Sequence, residues 1–180
     1  MNDPLPDAPI ITVDTAKVEL DGLLRIRKET MDDAAFLVAL FESVKGPEFA
    51  SLPGGETLRR QLLDLQYRAM TASYRQAFPQ GSFDIVLLDD IPIGRLITGS
   101  TADRFRIVYI ALLPEWRQRG LATALMTEVL CSPRAQGLRC ETDVAHDNVA
   151  SLRLWERLGF TERARDAANI FMARDTAIVE

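Results

Sequence analysis

The sequence is poor in the side chains from which most metal and redox sites are built. Its 180 residues include one histidine and two cysteines, Cys131 and Cys140, and these occur in no C-x-x-C or H-E-x-x-H pattern. Zinc sites in proteins draw their ligands from clusters of such residues at short spacing. We therefore expect no metal site, and two isolated thiols are typical of a reduced, cytoplasmic protein.

Long apolar runs and an excess of positive charge are missing as well. No stretch of about 18 apolar residues occurs, so no membrane span is expected, and the acidic, proline-containing N-terminus does not resemble a signal peptide. The formal net charge of -5 argues against a broad nucleic-acid-binding surface. The remaining composition, with 47% hydrophobic residues, predicts one soluble domain that buries a sizeable core.

Apolar spacing and turn residues divide the chain into strands and helices. Residues 1–22 are predicted to be an N-terminal tail or, through the apolar run at 10–13, an extra edge strand, with the tail preferred; residues 23–180 form the domain. Strands are predicted at residues 23–28, 83–88, 91–98, 106–113, 138–144, 160–165 and 169–174. Helices are predicted from Thr30 to Gly46, at 57–78, from Gly120 to a point before Pro133, and at 148–158.

Prolines, glycines and aspartates mark the connections between these elements. A loop is predicted at 46–55, and Asp89 and Asp90 are predicted to form a two-residue hairpin turn, because aspartate tolerates a positive φ. Pro92 and Gly94 predict an irregular start for the strand that follows, since both residues disturb regular pairing.

A basic turn between a buried strand and a helix is the most informative segment. The first turn of a helix leaves backbone N–H groups without intrahelical partners and carries a partial positive charge, so it attracts anions. Gly120 and Ala122 let a ligand approach the main chain, and Arg117 and Arg119 can each donate paired hydrogen bonds to a phosphate. The segment therefore predicts a phosphate-binding site at the start of this helix.

A second pattern lies downstream of the first. R-x-x-G-x-A at 117–122 is followed by N-x-x-S-x-x-L-W-E-R-L-G-F at 148–160. In this order and at this separation, the two patterns resemble the signatures of the GCN5-related N-acetyltransferase (GNAT) family. The resemblance implies an α/β (α+β) fold with a central, mixed and largely antiparallel sheet of about six or seven strands, flanked by about four helices.

Similarity to GNAT enzymes implies an acetyl-CoA-dependent N-acetyltransferase, in which a primary amine of a small molecule, an amino acid or a peptide attacks the thioester directly within a ternary complex. By the same resemblance the pyrophosphate contacts backbone N–H groups at 118–123. The pantetheine arm pairs with the strand edge beside Ile110 and Leu112, which the family opens with a bulge. The implied cofactor-binding residues are Ile110, Ala111, Leu112, Arg117, Gln118, Arg119, Gly120, Leu121, Ala122, Thr123, Asn148 and Ser151.

Two residues of the second pattern have more than one interpretation. Asn148 corresponds to the family's contact with the cofactor arm, and it is equally suited to cap the helix that follows. Trp155 stands where many members have a tyrosine that protonates the departing thiolate, and an indole cannot serve as that acid. Tyr109 or water would then donate the proton, or no acid would be needed, because a thiol with a pKa of about 8.5 is a fair leaving group.

Deprotonation of the amine is a further chemical requirement. A lysine-like amine costs roughly 4 to 5 kcal/mol to deprotonate at pH 7, whereas an α-amino group costs roughly 1 kcal/mol. The candidate bases are Tyr109 on the central strand and Glu141 and Asp143 on the next strand, acting directly or through water. His146 precedes the last helix and is expected to be structural or exposed.

The choice of acceptor is expected to lie in the first two helices, which wall the acceptor side in GNAT proteins. Plausible lining residues there are Arg59, Gln66, Tyr67 and Tyr74. A function of another class also fits the sequence, namely a GNAT-like module that binds acyl-CoA without turnover, and Trp155 is the main argument for it. The resemblance adds a homodimer as an expectation, whereas nucleic acid and membrane are not expected as partners.

Overall fold

A mixed β-sheet forms the centre of the protein. The structure, a computed structural model, describes residues 12–13, 22–50, 52–53 and 55–175. Its strands are β1 (Thr12–Val13), β2 (Leu24–Lys28), β3 (Ser82–Leu88), β4 (Ile91–Ser100), β5 (Arg104–Leu112), β6 (Arg139–Ala145), β7 (Thr161–Arg165) and β8 (Asn169–Arg174). Their order in the sheet is β1-β2-β3-β4-β5-β6-β8-β7. Neighbouring strands are antiparallel except β5 and β6, which are parallel.

Helices cover both faces of this sheet. They are α1 (Ala34–Phe49), α2 (Gly55–Ala77), α3 (Leu121–Cys131) and α4 (Val149–Arg157). The burial of β3 shows the two layers: Ile85 and Leu87 lie in one apolar cluster with Leu37 of α1. Val86 and Leu88 point the other way, into the larger cluster that contains the buried side chains of α3 and α4. Because successive strand residues face opposite sides, β3 is buried along its whole length.

The predicted fold class is confirmed. The sheet is mixed and largely antiparallel, four helices flank it in the described part of the chain, and the predicted strands from residue 23 onward occur with ends displaced by one or two residues. One strand is added at the edge, where Thr12 and Val13 pair with Arg25 and Leu24 of β2. These two residues form an extra edge strand instead of a tail; the rest of residues 1–21 lies outside the described residues, and the domain boundary at residue 22 stays a prediction.

The end of the first helix differs from the prediction. A stop at Gly46 and a loop at 46–55 are wrong, because α1 continues through Gly46 and Pro47 to Phe49. A proline in the last helical turn removes only the hydrogen bond of its own missing N–H, so it need not end the helix at once. An ion pair between Lys45 and Glu48, at 2.7 Å, spans the same turn.

The hairpin that joins β3 and β4 agrees with the turn that the sequence predicts. Asp89 and Asp90 have φ values of 48° and 68°, as a two-residue turn of this kind requires. The register shifts between Val86 and Leu87, which confirms an irregular start for β4. Gly94 is needed there, since a Cβ at this position would lie 2.4 Å from the carbonyl oxygen of Ala111 on β5. The two strands therefore approach closely just before β5 reaches the basic turn.

Candidate active site

The central strand β5 contains a bulge and then separates from its neighbour. Ile97 of β4 pairs with Tyr109 while Thr98 pairs with Ile107, so Val108 is an extra residue on β5. On the other side, pairing with β6 ends at Ile107 and Thr142, although β5 continues to Leu112. The Thr142 hydroxyl donates to the Ile107 carbonyl at 3.1 Å at this last paired position. Beyond it the two parallel strands diverge and leave a gap in the sheet.

The turn after β5 presents backbone amides at the start of α3. Gln118 and Gly120 both have positive φ, 59° and 77°, on either side of Arg119. Successive residues in such conformations turn their N–H groups towards one side and form an anion-binding concavity. The first helical bond runs from the Ala124 N–H to the Gly120 carbonyl at 3.0 Å. The N–H groups of residues 121–123 precede it and have no carbonyl one turn earlier, so they are available to a ligand.

A cavity of about 470 Å³ joins the gap to these amides. Its lining includes every residue for which the family resemblance implied cofactor binding except Arg119. The lining residues that the sequence analysis did not assign to this site are Val44, Trp116, Ala150, Leu154 and Arg157. Their position beside known motif residues is a signal that could have found most of them, because Ala150, Leu154 and Arg157 share one face of α4. The binding role of the whole set stays a prediction.

The two arginines of the basic turn are held by the protein itself. Arg117 Nε donates to the Leu112 carbonyl at 2.8 Å, which ties the turn to the end of β5. The Arg119 guanidinium lies over the ring of Trp116, 5.2 Å from its centroid. Because Arg119 does not line the cavity, the expected phosphate contact of this side chain receives no geometric support.

The start of α4 combines both interpretations of Asn148. Its Oδ1 accepts a hydrogen bond from the Ser151 N–H at 3.1 Å, so Asn148 caps the helix. The side-chain NH₂ is a separate donor, and Asn148 also lines the cavity. The cap therefore orients the residue without preventing a contact with a ligand.

Trp155 lies in the core and not in the cavity. Its side chain is 1% exposed, and its ring packs against Phe160 with centroids 5.0 Å apart. The indole Nε1–H donates to the Ser151 hydroxyl at 3.1 Å. Both its chemistry and its position therefore exclude Trp155 as the proton donor to a ligand in the cavity.

Tyr109 lies on the opposite face of β5, against α2. Its ring centroid is 6.1 Å from that of Tyr74. Burial raises the pKa of Tyr109 to about 12, although the charge of Arg95 opposes this shift. Burial raises the pKa of Tyr74 as well. Both phenols are therefore protonated at neutral pH, which suits hydrogen-bond donation and not base catalysis.

The two acidic candidates lie on β6 among arginines. Asp143 is ion-paired with Arg106, yet burial raises the pKa of its carboxyl, with Arg106 acting in the opposite direction. Glu141 lies 3.3 Å from Arg104, 3.2 Å from Arg139 and 4.0 Å from Arg106. The charge of Glu141 is thus compensated by three guanidinium groups, whereas Asp143 has one. None of Tyr109, Glu141 and Asp143 lines the cavity.

The structure separates the four residues expected on the acceptor side. Tyr74 contacts Tyr109, whereas Tyr67 packs against Phe41 with ring centroids 5.6 Å apart. Gln66 is exposed on α2. Arg59 donates to the Ala50 carbonyl at 3.1 Å and lines a second cavity, of about 420 Å³, between α1 and α2. Tyr74 is thus the member of the set that lies beside a candidate catalytic residue.

Other sequence-based expectations concern His146 and metal binding. His146 is exposed, in line with the expectation that it is structural or exposed, and its Nε2–H donates to the Asp166 carbonyl at 2.8 Å. In the described residues, no group of three or more His, Cys, Asp or Glu side chains could hold a metal ion. Over the same part of the chain, no helix has the length and apolar character needed to cross a membrane.

The sheet, the gap and the amide-lined turn form a site that suits an extended anionic ligand, and sequence comparison identifies the family. The profile of the acetyltransferase (GNAT) family matches residues 55–160, which is more than half of the chain. The protein therefore belongs to the GNAT acetyltransferase family. None of the curated proteins compared with it is similar enough in sequence to count as a match.

Solved structures of this family have the same fold. The PaiA N-acetyltransferase of Thermoplasma acidophilum, in complex with coenzyme A, is 18% identical over 84% of this chain and 98% of its own, with a TM-score of 0.64. Mycobacterium smegmatis RimJ, in complex with CoA-disulfide, is 19% identical over 88% of this chain and 84% of its own, with a TM-score of 0.61. An acetyltransferase from Thermus thermophilus is 16% identical over 84% of this chain and 96% of its own, with a TM-score of 0.64. At these identities the comparison establishes the fold.

Proposed function

We propose that this protein is an N-acetyltransferase that transfers the acetyl group of acetyl-CoA to a primary amine. The observation that carries the proposal is the separation of β5 from β6 beyond Ile107, next to the amides of residues 121–123. One cavity connects the two features. Membership of an acetyltransferase family and the coenzyme A in the PaiA and RimJ structures support the same ligand.

The cavity has groups that suit each part of coenzyme A. The amides of residues 121–123 would hold the pyrophosphate at the start of α3. The free edge of β5 at Ile110 and Leu112 would pair with the amides of the pantetheine arm, as an added strand does. Asn148 would donate to the same arm through its side-chain NH₂. When bound, the thioester supplies an activated acetyl group.

The acceptor amine would approach from the opposite face of β5, where Tyr109 and Tyr74 meet. Asp143 is the stronger candidate for the base, because its raised pKa makes it a better proton acceptor than an ordinary aspartate. Glu141 is more fully paired with arginines and is better suited to holding β5 and β6 together. An α-amino group would need little help from either, since deprotonation at pH 7 costs it roughly 1 kcal/mol.

Tyr109 would donate a hydrogen bond or a proton as the thiolate leaves. Its phenol keeps its proton throughout the neutral range because burial raises its pKa to about 12. A strong acid is not required, since a thiol with a pKa of about 8.5 leaves readily near neutral pH. The replacement of the usual tyrosine by Trp155 is therefore compatible with catalysis.

The proposal is tested by measuring free thiol released from acetyl-CoA in the presence of an amine panel. The panel contains small amines, amino acids, peptides with a free α-amino group, and peptides with an acetylated N-terminus and a lysine. We expect thiol release that depends on one class of amine, together with a rise in melting temperature on addition of coenzyme A. Stabilisation by coenzyme A without thiol release for any amine would instead favour a non-catalytic acyl-CoA-binding module. A chain that coenzyme A does not stabilise would contradict both functions.

A further inference from the structure

The phenol groups of Tyr74 and Tyr109 are hydrogen-bond donors that have no partner of their own. The two rings are half-buried between α2 and β5, with centroids 6.1 Å apart. Within the described part of the chain, neither hydroxyl makes a hydrogen bond. Burial raises the pKa of both phenols, so both keep the proton that they can donate. The pair is therefore available to a group that accepts hydrogen bonds.

Arg95 adds a buried positive charge beside this pair. Its side chain is 2% exposed. After burial, which raises the pKa of both phenols, the charge of Arg95 has the largest effect and lowers both. The Nε and Nη2 of Arg95 donate to Glu29 at 3.0 and 3.2 Å. Its Nη1 makes no hydrogen bond to any described residue, so the guanidinium is held from one side and can still donate.

The charges around Arg95 do not cancel. Glu29 is 7% exposed and is shared, because Arg75 of α2 pairs with the same carboxylate. One carboxylate between two guanidinium groups leaves one positive charge, whereas the pair of Arg106 and Asp143 is balanced. Water can satisfy the phenols, but it does not neutralise a buried charge. In a protein with a net charge of -5, this local excess favours an anionic group at the phenols.

The candidate base lies near the same phenol. After burial, which raises the pKa of Tyr74, the charge of Arg95 lowers this pKa and the charge of Asp143 raises it, so both groups act on one hydroxyl. A small acceptor can therefore place its amine near Asp143 and an anionic substituent near Tyr74 and Arg95 at the same time. An acceptor that carries only positive charge would meet a like charge there.

We infer that the acceptor carries a carboxylate, which binds to Tyr74 and Arg95 while its amine meets the base on β6. The acceptor class is thus an α-amino acid or a closely similar amino carboxylic acid. Guanidinium and hydroxyl groups form short, charge-assisted hydrogen bonds with a carboxylate, which suits this choice. The inference rests on the proposed function and deepens it, because it selects amino acids among the small amines, amino acids and peptides considered above.

The test compares acceptors that differ only in the carboxylate. Each of several α-amino acids is paired with its own carboxamide, and thiol release from acetyl-CoA gives kcat/KM for both members of the pair. The variants are Tyr74→Phe and Arg95→Gln in the full chain. Arg68→Gln is the matched control, because it removes an arginine from α2 that is 75% exposed and is paired with Asp64 at 2.9 Å.

The measured quantity is the ratio of kcat/KM for the acid to kcat/KM for the amide. We expect this ratio to fall about tenfold in Tyr74→Phe, as when a hydrogen bond to a charged group is lost, and at least as much in Arg95→Gln. Arg68→Gln should stay within about threefold of the wild type. The ratio does not depend on how much of a variant is folded, since one sample serves both acceptors. Tyr74→Phe also keeps the ring, so the test does not rest on Arg95→Gln alone.

The contradicting results are distinct for the inference and for the proposed function. An unchanged ratio in both Tyr74→Phe and Arg95→Gln would overturn the inference. An equal fall in Arg68→Gln would overturn it too, because a general loss of positive charge would then explain the effect. A wild-type protein that acetylates amines without a carboxylate but no amino acid would remove the inference and leave the proposed function standing. Only a wild-type protein that releases thiol with no amine at all contradicts the proposed function itself.

Discussion

The cavity side of β5 presents main-chain amides and mostly apolar side chains, whereas the opposite face of the same strand carries aromatic and charged side chains. The cavity side is formed by the free edge at Ile110 and Leu112 and by the amides at the start of α3. The opposite face holds Tyr109 against Tyr74, and Arg106 against Asp143. One strand thus separates a site made of backbone from a site made of side chains.

The difference lies in what each site needs from the rest of the fold. Backbone amides are oriented by local conformation, so a few small residues at the right spacing are enough to turn several N–H groups towards one ligand. Charged side chains need partners from distant segments: Arg95 and Glu29 are 2% and 7% exposed and are paired at 2.9 Å across 66 residues of sequence. Removing Glu29 would leave the buried charge of Arg95 uncompensated. The cavity side should therefore respond to changes of backbone conformation, and the opposite face to changes of charge.

The largest effect is expected from Gly120→Val. Gly120 has a φ of 77°, which a β-branched residue adopts only with strain, and the new side chain would displace the amides that follow it. We expect coenzyme A affinity to fall by more than about 100-fold, since several charge-assisted hydrogen bonds are lost together. Calorimetry measures the affinity directly.

Gly137→Val is the matched control for that substitution. Gly137 has a φ of 75°, and no atom lies within 4 Å of an added Cβ, so the strain is similar but the residue lies outside the cavity lining. Both variants should lower the melting temperature, and only Gly120→Val should lose coenzyme A. Equal affinities in the two variants would mean that the amides of this turn do not bind the ligand.

On the opposite face, Asp143→Asn is expected to lower kcat for a lysine-like acceptor by about 100-fold, the lower end of the range that a general base contributes. Because the pKa of Asp143 is raised, the carboxylate forms at higher pH than in an ordinary aspartate. The acid limb of the wild-type pH–rate profile should therefore shift to higher pH as well.

Glu141→Gln should mainly reduce stability, since it breaks contacts with Arg104 and Arg139. If Glu141→Gln lost the activity and Asp143→Asn kept it, the two roles would be reversed.

A smaller effect, of about tenfold on kcat, is expected for Tyr109→Phe, which removes one hydrogen-bond donor. Coenzyme A affinity should not change, because Tyr109 does not line the cavity. Since its pKa is about 12, the wild-type rate should show no descending limb from this phenol below about pH 11. A descending limb near pH 9 that disappears in Tyr109→Phe would show that the phenol titrates much lower than its burial implies.

The smallest effect, a change in kcat of less than about threefold, is expected for Trp155→Tyr. The position is buried against Phe160 and its donor is bonded to Ser151, so a tyrosine placed there does not reach a ligand. Steady-state kinetics with the best acceptor gives the answer. A gain of tenfold or more would mean that this position can protonate the thiolate after all.

Sequence reasoning succeeds where a feature depends on local conformation. The strands and helices follow from their apolar periodicity, the hairpin from Asp89 and Asp90, and the amide-lined turn from Gly120 and Ala122. The wrong helix end at Gly46 has a local cause as well: a glycine followed by a proline predicts a stop, but near a C-terminus the helix tolerates both.

Features that depend on strand register or on tertiary partners cannot be predicted from the sequence. The bulge at Val108 results from how β5 aligns with β4, and no residue type marks it. The bond from Arg117 to the Leu112 carbonyl and the burial of Trp155 depend on the packing of separate elements.

The most direct test of the account is a titration of the ¹⁵N-labelled full chain with coenzyme A, followed through backbone amide shifts. We predict that the largest shifts occur at residues 118–123, and that Ile110 and Leu112 shift with the same midpoint. Shifts confined to the second cavity, between α1 and α2, would contradict the claim that the gap and the turn form one ligand site. In that case the amide shifts of residues 118–123 would stay unchanged at saturation.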